Sequence, residues 1–324
     1  MITLVRTYII SLNGLLSCGP YLTRRSSASD LAWTMILGKT SVDADGFEHL
    51  YASDDLESMD FHIIHKIVLE LVDRDLEDEL SISTAYIDAI DSKSRTALSW
   101  TVQRGDYESA LTLLRFGANP NMYDRTGRGL FRWAVLPPDP ACVRLLIQYG
   151  AEVNRPDVYG NTPLHWACWF QEDSQHAEAL VRAGADYTFR SYEGNRPTPL
   201  HLAFWHGRDQ TATILLRAGA QIPKNELNSF LMIAVQEKMT GALQYLSNSL
   251  PDAAICPDAD GNSVLHAAAL SDSRTLDILK SLPLRDLSPW SQSADGLSAF
   301  DLLEMREDTP DGFRESFQSF VAGI

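Results

Sequence analysis

A chain of 324 residues that is 45% hydrophobic and 22% charged has an ordinary globular make-up, and no apolar run approaches the roughly 18 residues of a membrane span. The net charge of −16 is unevenly spread: residues 41–91 carry a balance of −13, residues 92–224 carry +3 and residues 225–324 carry −9. A near-neutral middle between acidic flanks lacks the basic face that phosphate contacts need, which argues against direct nucleic-acid binding. Cys18, Cys142, Cys168 and Cys256 are too scattered for a zinc module or a disulfide framework, and they point to a reducing compartment.

Residues 1–60 read as an irregular N-terminal segment. Arg6 and the run from Thr7 to Gly19 loosely resemble a secretory signal, but Asn13 and Gly14 interrupt its apolar core and Pro20 follows its small-residue position. Leu31-Ala32-Trp33 falls 33 residues before Ile64, so a decayed repeat has room to begin there. From residue 61 the pattern sharpens. Ile67, Val68, Leu71 and Val72 share one helical face, and Asp75 to Leu80 supplies a short second helix.

Further along, Thr162-Pro163-Leu164-His165 is followed by Thr198-Pro199-Leu200-His201 and by Val264-Leu265-His266-Ala267. Aligning the leucine gives Ile64, Leu98, Phe131, Leu164, Leu200, Leu231, Leu265 and Phe300, with spacings of 34, 33, 33, 36, 31, 34 and 35. Gly117-Ala118, Gly150-Ala151, Gly184-Ala185 and Gly219-Ala220 repeat the period independently, each after an apolar run. Thr162 and Thr198 suit helix N-caps, Pro163 and Pro199 suit the first helical position, and the second-half glycines suit helix ends. Each unit is then hairpin, helix, turn and helix, too short to bury its apolar face without a neighbour.

On these residues the chain resembles the ankyrin-repeat family, most clearly over 91–222 and more faintly over 61–90 and 223–307. The resemblance implies an all-α solenoid of stacked helix-turn-helix units with short β-hairpin loops over residues 61–307. Residues 223–257 are irregular in this reading, because the Gly-Ala end is lost and Asn248-Ser249-Leu250-Pro251 intervenes; residues 308–324 close the stack as a cap. The extra Arg196-Pro197 places an insertion in a hairpin. The run from Leu69 to Trp100 is also similar to divergent ankyrin arrays of filamentous fungi, which implies a lineage and no defined activity.

No P-loop, dinucleotide fingerprint, nucleophile elbow or paired-histidine zinc motif occurs, so neither a cofactor nor catalysis is expected. Asp43-Ala44-Asp45-Gly46 and Asp258-Ala259-Asp260-Gly261 place glycine too early for a calcium loop. The resemblance makes His65, His165, His201 and His266 structural, tying hairpin to helix, and Trp100, Trp133 and Trp166 a core ladder.

It also implies binding at the hairpin tips and the exposed side of the first helix. By register those positions include Lys93, Arg95, Arg104, Arg125, Arg128, Tyr159, Trp169, Phe170, Tyr192, Trp205 and His206. They describe a concave groove, basic at one end and aromatic in the middle, suited to an acidic and apolar segment of a protein partner. The expectation is a monomeric, non-enzymatic adaptor or transcription coregulator in the cytoplasm, the nucleus or both, with no membrane contact; a secreted or host-directed effector is the alternative.

Overall fold

The computed structural model describes residues 60–323 except 126, 172, 193–195, 224–225, 250–260 and 283–287. The leader, the decayed repeat at Leu31-Ala32-Trp33, the Leu250-Pro251 break and the Asp258-Ala259-Asp260 turn lie outside these residues. The elements divide into two compact units, the first ending at Pro199 and the second running from Leu200.

In the first unit helices come in pairs: α1 (Ile63–Val68) with α2 (Leu76–Ile82), α3 (Ala97–Arg104) with α4 (Tyr107–Arg115), α5 (Phe131–Ala134) with α6 (Ala141–Gln148), and α7 (Pro163–Phe170) with α8 (Gln175–Arg182). First helices pack on first helices of the next pair and second helices on second helices. The shared seam buries the register residues Ile64, Leu98, Phe131 and Leu164, each at most 3% exposed. None of these helices exceeds nine residues, so stacking rather than intrinsic propensity holds them.

Local chemistry sets where each helix starts and stops. Thr96 and Ser99 form a reciprocal capping box on α3, and Thr162 with His165 does the same on α7, where Pro163 occupies the first turn. After α4, α6 and α8 the chain turns through Gly117, Gly150 and Gly184 at φ of 95°, 78° and 86°. Hairpins between pairs close by antiparallel bridges, Ile90 to Thr96 and Tyr123 to Gly129. An aspartate heads three of these hairpins: Asp91 Oδ1 accepts the amides of Lys93 and Arg95, Asp124 Oδ1 that of Arg128, and Asp157 Oδ1 those of Tyr159 and Asn161.

Contacts of long sequence separation then tie successive pairs. His65 Nε2–H donates to Arg95 O at 3.1 Å and His165 Nε2–H to Pro197 O at 3.2 Å, while His165 Nδ1 accepts the Thr162 amide. Asn121 donates to Gly150 O and accepts from the Glu152 amide; Asn154 repeats this one unit later with Gly184 O and the Asp186 amide.

The second unit contains α9 (Pro199–Trp205), α10 (Asp209–Ala218), α11 (Leu227–Gln236), α12 (Thr240–Ser249), α13 (Val264–Ala269), α14 (Ser273–Leu279), α15 (Ala299–Met305) and α16 (Phe313–Ala322). Here too α10, α12, α14 and α16 pack in succession, as do α11, α13 and α15. The segment expected to be irregular thus contains two helices, α11 and α12, of ten residues each. His266 makes the same tie as its counterparts, with Nε2–H on Leu297 O and Nδ1 accepting the Ser263 amide. Phe313, Phe317 and Phe320 bury one face of α16. Among the described residues there is no β-strand, and the fold class is all-α.

Candidate functional site

In the first unit the hairpin tips carry the open surface. Lys93 and Arg125 are exposed, and Arg125 Nε reaches Ser94 Oγ on the neighbouring tip at 3.1 Å. Val158 is 58% exposed, Tyr159 44% and Tyr192 57%. Their two hairpins are joined directly, since the Tyr192 amide donates to Tyr159 O at 2.8 Å. Gly160 makes this approach possible: at φ +80° it has no side chain, and a Cβ there would stand 2.6 Å from Tyr192 N. The exposed aromatics therefore ride on a braced backbone.

Several residues expected on this surface are committed inward. Arg95 is 6% exposed; its Nε pairs with Asp91 at 3.4 Å and its guanidinium lies 3.5 Å from the Trp100 ring centre. Phe170 is 6% exposed and stacks on Trp166 at 5.7 Å, on the seam between repeats. Arg104 Nη1 donates to Val68 O at 2.7 Å and Nη2 pairs with Glu70 at 3.0 Å, so it closes the end of α1. Arg128 Nε pairs with Asp124 at 2.7 Å. Trp169 is half-buried, tilted on Trp166 at 6.2 Å. Trp205 and His206 belong to the second unit, where both are partly covered; Trp205 meets the His201 ring edge-on, and burial pushes the His206 imidazole down to about 4.

The tryptophan ladder has arginines between its rungs. Trp100 and Trp133 are buried, and the Trp100 indole N–H donates to Asp91 Oδ2 at 3.0 Å. Arg95 lies over both Trp100 and Trp133, and Arg132 lies 5.5 Å from Trp133, 4.3 Å from Trp166 and 4.5 Å from Phe170. Burial lowers Arg95 to about 10 and Arg132 to about 9, with Arg128 adding to the effect on Arg132; both remain cations at neutral pH.

Arg132 is the residue that sequence reasoning missed. A signal was present: the register that reads Thr-Pro-Leu-His at 162–165 reads Gly129-Leu130-Phe131-Arg132 one unit earlier, with arginine in the histidine position. Beside it Tyr123 donates to Glu152 Oε2 at 3.0 Å under the Arg155 guanidinium; burial and that carboxylate raise the phenol to about 12. Among the described residues no group of three potential metal ligands gathers. What the surface offers is exposed aromatic and cationic side chains on a preformed backbone, which is binding chemistry.

Residues 98–191 match the family model described as ankyrin repeats in three copies. The ankyrin repeat domain of human ASB11 is similar in structure, with a TM-score of 0.52 at 22% identity over 70% of this chain and 98% of that one, a likeness that establishes the fold alone. No curated protein matches the sequence significantly.

Proposed function

We propose that this chain, an ankyrin-repeat protein, is a non-enzymatic scaffold that binds a protein partner through the hairpin tips of its first unit. The exposed, backbone-braced pair Tyr159 and Tyr192 carries the reading. Aromatic side chains lose little rotamer entropy on binding and dominate interface energetics, and a backbone already in place limits the ordering that association requires. Lys93 and Arg125 on the tips that precede them favour a partner combining acidic with apolar residues. Regulation through the bound partner, as an adaptor or transcription coregulator acting in the cytoplasm or nucleus, is the use we put first.

The test is affinity capture by the full chain beside a Tyr159→Ser/Tyr192→Ser variant of unchanged melting temperature. Proteins retained by the intact chain and lost by the variant are expected; equal retention by both would set the hairpin tips aside as the binding surface.

A further inference from the structure

The α5 repeat departs from the α7 repeat in two linked ways, and from α3 in its cap, since Ser99 holds the histidine register in α3 and completes the Thr96 capping box. At the histidine register α1, α7 and α13 carry His65, His165 and His266, each donating Nε2–H to a carbonyl of the following hairpin. In α5 that place is taken by Arg132, whose Nε and Nη1 have no hydrogen-bond partner among the described residues. The capping hydroxyl is missing as well: Gly129 stands where Thr96 and Thr162 stand, Leu130 is an N-cap without a side-chain bond, and α5 has four residues where α3 and α7 have eight. Two stabilising devices have been replaced by a buried cation, and local rules broken in this way concentrate at functional sites.

The surroundings of Arg132 are built to hold a charge. It is 5% exposed, with aromatic rings of Trp133, Trp166 and Phe170 around the guanidinium plane. A desolvated guanidinium gains from such rings but is fully compensated only by a hydrogen-bonded anion. The neighbouring charges are engaged in part: Arg128 pairs with Asp124 and Arg155 with Glu152, while Asp157 accepts two backbone amides at Oδ1 and leaves Oδ2 buried without a hydrogen bond among the described residues. Asp157 and Asp124 favour the charge on Arg132 from a distance, yet no described carboxylate stands within ion-pair reach of it. Arg132 lines a cleft of about 20 Å³ together with Tyr123, Arg128, Glu152, Arg155, Asp157 and Trp166, and the Glu152 carboxylate there is held by Tyr123 and Arg155.

We infer that this cleft is a receptor for a single carboxylate, the side-chain tip of a Glu or Asp on the partner protein, which pairs with the Arg132 guanidinium beside the Trp166 ring. The inference rests on the protein-binding reading and names what that partner must present. About 20 Å³ admits the end of one side chain and is far below the several hundred Å³ of a small-molecule site. A guanidinium fork presents two parallel N–H donors to a carboxylate. A chain of net charge −16 is a poor host for a polyphosphate backbone, which favours a lone protein carboxylate.

The probe is glutamate blocked as its N-acetyl methylamide, titrated into the full chain at constant ionic strength against the blocked glutamine, with tryptophan emission as readout because Trp166 lies against Arg132. A saturable change is expected with glutamate, at least tenfold weaker with glutamine, and lost in Arg132→His and Arg132→Met. Both variants are expected to melt at or above the intact chain, since histidine restores the inter-repeat tie and methionine removes an unpaired buried cation. No saturable change in the intact chain, or the same change in Arg132→Met, overturns the proposal. So does tighter Arg132-dependent binding of inorganic phosphate, which would make the cleft a phosphate site, and so does unfolding of both variants, which would make Arg132 a structural residue. None of these outcomes alters the Tyr159/Tyr192 capture result, so the two readings fail separately.

Discussion

Two glycines with similar backbone angles show how the stack gives equal residues unequal weight. Gly150 at φ +78° and Gly160 at φ +80° both occupy the left-handed region, but a Cβ on Gly150 meets nothing within 4 Å while one on Gly160 would strike the Tyr192 backbone and ring. Gly150→Ala should therefore cost about 1–2 kcal/mol, the ordinary left-handed penalty. Gly160→Ala should lose roughly twice as much, because the next hairpin must also move. Denaturant midpoints of the two variants check this; equal losses would mean that the hairpins are not braced against each other. The same inequality separates the arginines. Lys93 and Arg125 stand exposed on their hairpin tips, whereas Arg95, two residues beyond Lys93, turns back over Trp100 because Asp91 and the indole offer it a charge and a ring.

Among elements, a recurrent device closes the first helix of three pairs from the following repeat. Arg104 donates to Val68 O at the end of α1, Gln171 Nε2 donates to Val135, Leu136 and Pro137 carbonyls after α5, and Arg306 donates to Ser271 O after α13. Helix C-termini leave carbonyls without intrahelical partners, and in a stack the neighbour can supply the donor. For α5, which has no side-chain N-cap, that donor matters most. Gln171→Met keeps the side-chain volume but strands those carbonyls, and should destabilise the fold by about 1–3 kcal/mol. The expected result is a lower urea midpoint with an unchanged m-value; no shift would show that solvent satisfies the carbonyls. A long polar side chain just after the first helix was legible in the sequence, but its reach of some 35 residues back was not, because only packing brings the two ends together.

At the scale of the molecule, buried histidines link stability to pH. Burial lowers His65 and His176 below the ordinary imidazole value of 6.5, and pushes His206 down to about 4. Below pH 6.5 the unfolded chain binds protons at these positions that the folded chain refuses, so the stability they contribute is full above that pH and is lost as pH falls. The melting temperature should drop by several degrees between pH 7.5 and 5, and His176→Gln should reduce the drop; a melting temperature independent of pH would contradict the buried neutral state of these rings. The sequence by itself determined the repeat register, the Thr162 cap and the glycine ends, because each depends on bonds between residues a few positions apart or on a period visible along the chain. Only the tertiary structure decided that Arg95 and Phe170 are buried, that the hairpins carrying Tyr159 and Tyr192 are joined, and that Arg132 lies between two tryptophans with no ion-pair partner among the described residues. Exposure is set in part by side chains of a neighbouring repeat, as where Trp133 reaches Arg95 and Arg132 reaches Trp166 and Phe170, and a local pattern does not record that cover.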